Sequence, residues 1–314
     1  MTPGAPAGAA ATAVTIVEVS PRDGLQNDPG ELSTEQKVEL TVRAHAAGLR
    51  RIEVTSFVSP RAVPRLSDAE AVVDGVRKRE LAGLSMIGLV VNERGVRRAA
   101  AAGVDEINVV IVASEPFSRA NQGMSVRQSV AQLPDLVAAG HAAGLRTTVT
   151  IGTAFGCPFA GEVATGLIAD LAGQAGLAQP DEIALADTIG VGVPTDVTQR
   201  FAAVRAVIPA ATGLRAHFHD TRRTGMANAA AAVAAGITAL DASLGGIGGC
   251  PFAPRATGNI ATEDLVYLLD RMACPTGVSL GALIGGAEWL GESLEHDVSG
   301  ALSKAGPFPP AAAW

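Results

Sequence analysis

Two histidines separated by a single residue give the clearest sign of chemistry in this sequence. His217 and His219 lie in the segment HFHDT, at the end of a run that is typical of a β-strand. Alternate side chains of a strand point to the same face, so both imidazoles are predicted to face the same way. A lone inward histidine is more often a satisfied core residue, but two of the five histidines in the chain form this pair. We therefore predict that His217 and His219 bind a metal ion.

Two oxygen-bearing residues are candidates to complete this site. Asp23 follows the first strand-like segment in SPRDGLQN, and Asn259 follows the last one in GNIATED. Two imidazoles with a carboxylate and an amide oxygen form a mixed ligand set that suits Mn²⁺, Mg²⁺ or Zn²⁺ with positions left open. No thiolate joins the set, which argues against a structural zinc site.

Further polar residues lie where the strand-like segments end. Arg22 and Gln26 follow the first segment, and Asp187 ends the sixth. Glu53 is embedded in an otherwise apolar strand, which leaves two interpretations open: an ion pair with Arg22 inside the protein, or a direct catalytic role. Both can hold, because orienting an arginine also supports catalysis.

The segment GGIGGCPF presents Cys250 in a glycine-rich loop. It lacks the GxGxxG or Walker spacing of a phosphate-binding loop, so a mobile loop carrying Cys250 near its tip is the favoured interpretation. The alternative is a buried structural cysteine. For Cys157, in the similar context FGCPF, structural packing is favoured.

The elements that must position these residues alternate along the chain. Strand-like apolar runs cover residues 14–20, 51–57, 85–91, 106–114, 146–155, 181–188, 213–220 and 239–246. Helix-like stretches lie between them, such as the one that Ser33 and Gln36 open as a capping box. Gly48, Gly103, Gly144 and Gly236 are predicted to end helices. Eight strand–helix repeats predict an α/β fold, a (β/α)8 TIM barrel, whose functional residues lie at the C-terminal ends of the strands.

Length, net charge and cysteine spacing limit the domain organisations and the partners that this chain can have. The chain has 314 residues, a net charge of −7 and three widely spaced cysteines. These features predict no nucleic-acid or membrane partner, no disulfide framework and a cytoplasmic location. We expect a disordered tail at 1–13, the barrel at 14–275, a C-terminal helical extension packed on it at 276–305 and a loose tail at 306–314.

The motifs together carry a family resemblance. IVEVSPRDGLQN, IEVTSFVSP, ADTIGVG, HFHDT, GGIGGCP and GNIATEDLVYLL resemble, in this order, the signature segments of the 3-hydroxy-3-methylglutaryl-CoA lyase family. The resemblance covers roughly residues 14–272. PRDG and HxHDT occur more widely among the DRE-TIM metallolyases, whereas the GGCP loop followed by GNIATED separates the lyases from their condensing relatives.

This resemblance implies a site and a reaction. It implies that Asp23, His217, His219 and Asn259 bind a divalent cation, Mg²⁺ or Mn²⁺, and that Arg22 and Cys250 are catalytic. Glu53, Asp187, Gln26 and Glu263 fall on supporting active-site positions, the first two catalytic and the last two substrate-binding. The implied reaction cleaves 3-hydroxy-3-methylglutaryl-CoA to acetyl-CoA and acetoacetate, in a homodimer or larger homo-oligomer. The base that removes the hydroxyl proton is left open between His219 and Asp23.

The sequence departs from the family pattern near the expected substrate. Arg222 and Arg223 replace a Tyr-Gly pair, and Ala186 replaces a glycine. The two arginines are candidates to bind a substrate anion; the alternative is a solvated arginine and a surface salt bridge. A lyase of another branched 3-hydroxyacyl-CoA, an aldolase or a Claisen condensing enzyme is therefore an alternative function. A catalytically silent barrel is disfavoured, because the whole candidate site is retained.

Overall fold

The computed structural model describes residues 13–249 and 258–309. In this part of the chain, eight parallel strands form a closed barrel in the order β1 to β8. The strands are β1 (Thr15–Glu18), β2 (Arg51–Ser56), β3 (Ser85–Val90), β4 (Glu106–Val112), β5 (Arg146–Gly152), β6 (Glu182–Asp187), β7 (Gly213–Phe218) and β8 (Ala239–Ala242). Pairing of β1 with β8, from Thr15 opposite Ala239, closes the barrel. The predicted (β/α)8 fold is confirmed.

All eight predicted strands extend beyond the observed strands at their C-terminal ends, by one to four residues. Ser20, predicted to end the first strand, instead begins the π-helical turn Ser20–Gly24. Leu244–Gly246 form a 3-10 turn after β8, where Gly245 and Gly246 both have a φ of 69°. A left-handed backbone cannot continue a strand, so the strand ends before the apolar sequence run does.

Helices connect and cover the strands. In the described residues they are α1 (Thr34–Ala46), α2 (Ala69–Arg77), α3 (Glu93–Ala102), α4 (Glu115–Gln122), α5 (Val126–Ala131), α6 (Leu133–Ala142), α7 (Thr165–Leu177), α8 (Pro194–Arg205), α9 (Gly225–Ala234), α10 (Thr262–Arg271), α11 (Leu280–Leu294) and α12 (Leu302–Ala305). The capping box of Ser33 and Gln36 is present at the start of α1. The four predicted helix-ending glycines all have positive φ, as expected of residues that leave a helix.

Charged residues fill the N-terminal end of the barrel interior. Arg51 on β2 donates to Glu106 on β4 at 2.7 Å and to Glu182 on β6 at 2.9 Å. Arg215 on β7, which is 1% exposed, lies 3.4 Å from Glu182. Burial alone would raise the pKa of Glu182, but Arg215 and Arg51 lower it to about 2. We call Arg51, Glu106, Glu182 and Arg215 the barrel-floor network.

The chain after the barrel is helical, as expected. The hydroxyl of Ser279 caps α11 just before its first residue, and α11 buries Leu283, Ala287, Leu290 and Leu294. Ser279 also donates its backbone amide to Ala47 at the end of α1, which fastens the extension to the barrel. No helix in the described ranges is long and apolar enough to cross a membrane. Residues 1–12 and 310–314 of the two expected tails lie outside the described residues.

Candidate active site

A π-helical turn directly after β1 carries Arg22 and Asp23. The backbone amides of Asp23 and Gly24 both donate to the carbonyl of Val19, at 2.8 and 3.1 Å, which winds this turn wider than an α-helix. π-Helical turns of this kind occur frequently at functional sites. A Cβ at Gly24 would lie 2.8 Å from Ile247, so only glycine lets this turn pack against the chain that follows β8.

The histidine pair at the end of β7 meets Asp23. The Asp23 Oδ2 atom lies 3.9 Å from His217 Nε2 and 3.6 Å from His219 Nε2. Asp23, His217 and His219 each offer one ligand atom within 4.8 Å of the others, as a metal site requires. Both imidazoles are buried, and their rings are 5.2 Å apart. The predicted same-face arrangement of the two histidines is confirmed.

Asn259 lies beside this cluster. It forms an isolated bridge with His219, and its Nδ2 donates to Asp23 Oδ2 at 2.9 Å and to the carbonyl of Ile247 at 3.1 Å. Asn259 Oδ1 and His219 Nδ1 are buried without a hydrogen-bond partner among the described residues. Buried polar atoms without partners are costly unless something else binds them, so this donor set fits a divalent cation.

Arg22 is held by carboxylates on both sides. Its Nε donates to Glu53 Oε2, and its Nη1 donates to Asp23 Oδ1 at 2.7 Å. Burial opposes the charge of Arg22, but the ion pairs with Glu53 and Asp23 hold its pKa above the usual value. The ion pair between Glu53 and Arg22 that the sequence suggested is therefore present. The guanidinium stays charged and fixed in one orientation.

Glu53 is itself fixed by a chain of hydrogen bonds across the barrel. Asn108 Nδ2 on β4 donates to Glu53 Oε1 at 2.8 Å, and Thr150 Oγ1 on β5 donates to Asn108 Oδ1 at 2.7 Å. All three side chains are buried. Because each polar atom in the chain has a partner, the network holds one geometry.

The charges around Asp23 and His217 stabilise their ionised forms. Burial alone would raise the pKa of Asp23, but Arg22, His219 and His217 lower it well below its ordinary value. Burial alone would lower the pKa of His217, but its hydrogen bond to Asp241 and the charge of Asp23 raise it. Asp23 is therefore a carboxylate at neutral pH, which is the form that binds a cation.

Asp187, predicted as catalytic, ends β6 as expected. Its carboxylate accepts hydrogen bonds from the amides of Val191 at 3.0 Å and Gly192 at 2.8 Å. Burial raises the pKa of Asp187, although these amides and the charges of His219 and His217 oppose the rise. Asp187 thus lies within electrostatic reach of the histidine pair and shapes the loop after β6.

The predicted substrate-binding arginines differ in their surroundings. Arg222 Nη1 donates to the carbonyls of Ile189 and Gly190 at 3.1 and 2.9 Å. The side chain of Arg223 is 79% exposed and lies 3.3 Å from Asp220. Gln26 follows the π-helical turn and is half-buried. Binding of substrate by these three residues stays a prediction.

The structure places Glu263, also predicted to bind substrate, under the backbone of the turn after β8. It is fully buried at the start of α10, and its Oε2 accepts from the amide of Gly245 at 3.0 Å. Its Oε1 has no partner in the described residues, and a Cβ at Gly300 would lie 2.0 Å from this atom. Burial raises the pKa of Glu263 to about 8. The contacts in the structure connect Glu263 to this turn and to the C-terminal extension, and its substrate role stays a prediction.

The structure describes one of the two cysteines discussed in the sequence analysis, Cys157, and does not describe the other, Cys250. Cys250 lies outside the described residues; Gly249, just before it, accepts a hydrogen bond from Asn27 Nδ2 at 3.1 Å. Cys157 is buried, with its sulfur 2.8 Å from Ser114 Oγ, and it accepts from the amides of Phe159 and Ala160. Its expected structural role is confirmed.

Sequence reasoning missed Asp241 and Asn108. Asp241 lies on β8, and its Oδ2 is 3.1 Å from Nδ1 of His217. A signal was present in both cases, because each is a polar residue inside an otherwise apolar strand, as Glu53 is. The sequence alone did not reveal the strand register, which places these side chains in the interior of the barrel.

Comparison with known proteins agrees with this geometry. The sequence matches the model of the HMGL-like family over residues 13–288. This chain belongs to the HMGL-like family. As a family member it is a carbon–carbon lyase, the enzyme class of its curated relatives.

Several relatives of this HMGL-like chain match it over nearly their whole length. It is 44% identical to the (R)-citramalyl-CoA lyase of Chloroflexus aurantiacus, covering 95% of this chain and 96% of that protein. It is 40% identical to hydroxymethylglutaryl-CoA lyase YngG of Bacillus subtilis, covering 90% and 93%. A solved HMG-CoA lyase of Acinetobacter baumannii, in complex with coenzyme A and 3-methylmalate, matches with a TM-score of 0.89 at 38% identity, covering 94% of this chain and 96% of that one.

Proposed function

We propose that this chain cleaves a branched 3-hydroxyacyl-CoA that carries a carboxylate, with 3-hydroxy-3-methylglutaryl-CoA as the first candidate substrate. The products would be acetyl-CoA and acetoacetate. The observation that carries the proposal is the meeting of Arg22 and Asp23 with His217, His219 and Asn259 at one end of the barrel. This is the end at which TIM-barrel enzymes place their catalytic residues.

We propose that Asp23, His217, His219 and Asn259 hold one divalent cation, Mg²⁺ or Mn²⁺. When bound, it would act as a Lewis acid that makes the tertiary hydroxyl of the substrate more acidic. The unpartnered Oδ1 of Asn259 and the ionised carboxylate of Asp23 support this assignment.

Cleavage begins when a base removes the proton of the tertiary hydroxyl. The bond between C2 and C3 then breaks, C3 becomes a ketone, and the electron pair moves onto C2 and the thioester as an enolate. Asp23 and His219 are the candidate bases. The lowered pKa of Asp23 makes it a weak proton acceptor.

Arg22 is suited to stabilise the enolate oxygen. Its Nε and Nη1 donate to Glu53 and Asp23, while Nη2 donates to no atom of the described residues. A fixed, permanently charged donor stabilises a developing negative charge without reorganising during the reaction. Glu53 and Asn108 hold that donor in place. Cys250 is proposed to deliver the proton that converts the enolate carbon into the methyl group of acetyl-CoA.

A second candidate substrate is (R)-citramalyl-CoA, favoured by the 44% identity to a lyase of that name. It has one methylene fewer between the carbinol carbon and the carboxylate, so its cleavage releases pyruvate in place of acetoacetate. A pocket separates two ligands that differ by one methylene by about 10- to 200-fold, so kinetics can distinguish them.

The test is steady-state cleavage of both acyl-CoAs by the Mg²⁺- or Mn²⁺-supplemented enzyme. Acetoacetate and pyruvate are each detected with a dehydrogenase specific for that product. A higher kcat/KM identifies the preferred substrate, and Arg22→Gln is the variant that should abolish both reactions. Failure to cleave either compound, or any other branched 3-hydroxyacyl-CoA in a panel, would overturn the proposal. The expected cytoplasmic location and homodimeric or larger assembly stay predictions.

A further inference from the structure

Asp241 is a buried carboxylate that the proposed reaction does not use. It lies on β8, is 5% exposed, and its Oδ2 is 3.1 Å from Nδ1 of His217. Its other oxygen, Oδ1, forms an ion pair with Nε of Arg215 at 3.3 Å, although neither atom makes a hydrogen bond within the described residues. The carboxylate therefore sits between a guanidinium on one side and an imidazole on the other.

Arg215 determines which of the two residues, Asp241 or His217, donates the hydrogen bond between them. Arg215 is 1% exposed, and the same Nε atom also lies 3.4 Å from Oε1 of Glu182. Arginine has hydrogen-bond donors and no acceptor, so the atom of Asp241 that faces Arg215 must be an acceptor, as a carboxylate oxygen is. The oxygen that remains faces His217 and can only accept, so Nδ1 of His217 must carry a hydrogen.

The hydrogen on Nδ1 decides what the opposite nitrogen can do. In a neutral imidazole with Nδ1–H, Nε2 has a free lone pair. Nε2 of His217 is the atom that faces Asp23, 3.9 Å from its Oδ2. The lone pair therefore points into the cluster of Asp23, His217 and His219.

We propose that Asp241 is a positioning residue which, held by Arg215, fixes the hydrogen on Nδ1 of His217 and keeps Nε2 free to bind the divalent cation. This inference rests on the cation site proposed above. It connects that site to the barrel-floor network through Glu182 and Arg215, a role that the sequence motifs do not assign to any of these residues.

Asp241→Asn tests the proposal because it keeps the shape and changes the hydrogen bonds. The amide oxygen must face Arg215, so the NH2 group faces His217. The imidazole then accepts at Nδ1 and carries its hydrogen on Nε2, which can no longer bind a cation. Loss of such a supporting partner typically lowers metal affinity 10- to 100-fold.

The measurement is direct Mn²⁺ binding without substrate, followed by electron paramagnetic resonance of the free ion. Asp241→Asn should bind Mn²⁺ about 10- to 100-fold more weakly. Glu106→Gln, the same change in the barrel-floor network without contact to His217, should bind like the unaltered protein, and His217→Ala should not bind. If the unaltered protein binds no Mn²⁺, the proposed cation site fails. If it binds and Asp241→Asn binds equally well, the role of Asp241 fails while the cation site stands.

A second measurement decides the question even if Asp241→Asn does not fold. Nitrogen-15 correlation spectra of the unaltered, metal-free protein at alkaline pH report which ring nitrogen of His217 carries the hydrogen. The chain has only five histidines, and His217→Ala assigns the signal. Protonation at Nδ1 is the expected result. A hydrogen on Nε2 would overturn the proposal.

Discussion

Replacing Glu263 with glutamine should stabilise this protein at alkaline pH and have a much smaller effect at pH 5. Glu263 is fully buried, and burial raises its pKa from the ordinary value of 4.5 to about 8. At about 1.36 kcal/mol per pH unit, this gap corresponds to about 5 kcal/mol. Glutamine has the same shape and cannot ionise, so the variant avoids this cost.

The direction of the effect follows from the protons bound in each state. Below pH 4.5 the carboxyl group is protonated in both the folded and the unfolded chain. Between pH 4.5 and 8 the unfolded chain loses the proton while the folded protein keeps it, so the free energy of unfolding falls as pH rises. Above pH 8 the folded protein bears the full free-energy cost of holding an ionised Glu263 in a buried position. The advantage of Glu263→Gln should therefore grow from about 1 kcal/mol at pH 5 to about 5 kcal/mol at pH 9.

The assay is urea unfolding of both proteins at several pH values from 5 to 9. The difference between the two free energies of unfolding removes the contributions of all other titrating groups. Glu288→Gln, at an exposed position on α11, is the matched control and should show no such trend. A difference between Glu263→Gln and the unaltered protein that stays constant across this range would show that Glu263 titrates normally and refute the reasoning.

Three further predictions concern the candidate active site. His217→Ala and His219→Ala should each lose the divalent cation and nearly all activity while the barrel stays folded, as elemental analysis and circular dichroism would show; full occupancy with normal turnover would contradict the site. Cys250→Ala should fold and bind the cation but cleave substrate at least ~100-fold more slowly, the range for loss of a general acid. An unchanged kcat in this variant and after thiol alkylation would remove Cys250 from the mechanism. Arg222→Gln and Arg223→Gln should raise KM more than they change kcat, since binding of an anion persists from ground state to transition state. If both single variants and the double variant match the unaltered protein on every acyl-CoA, the two arginines are solvated surface.

The repeat of strands and helices was predictable because each element carries a local signal. The glycines that end helices, such as Gly48 and Gly103, adopt the left-handed backbone that their positions required. The histidine pair was predictable for the same reason, since the two-residue period of a strand alone places both rings on one face. The ion pair of Glu53 with Arg22 was one of the two interpretations that the sequence left open, since an acid in a buried strand needs a partner.

The missed features depend on contacts between segments that are distant in the chain. Asp241 contacts His217 because β8 pairs with β7 in a register that places these two residues side by side. The buried position of Glu263 depends on the turn at Gly245 and on the approach of Gly300 from the C-terminal extension. The π-helical turn at residues 20–24 depends on packing of Gly24 against Ile247.

The barrel-floor network also affects how the protein unfolds. Arg51 joins β2 to β4 and β6, strands that are not neighbours in the barrel wall, so these contacts cross the interior. Opening the wall at any one seam would pull buried charges away from partners on the opposite side, at a cost of several kcal/mol for each broken pair. The two halves of the barrel are thereby coupled, because a fragment of β1–β4 would keep Glu106 as a partner of Arg51 but lose Glu182.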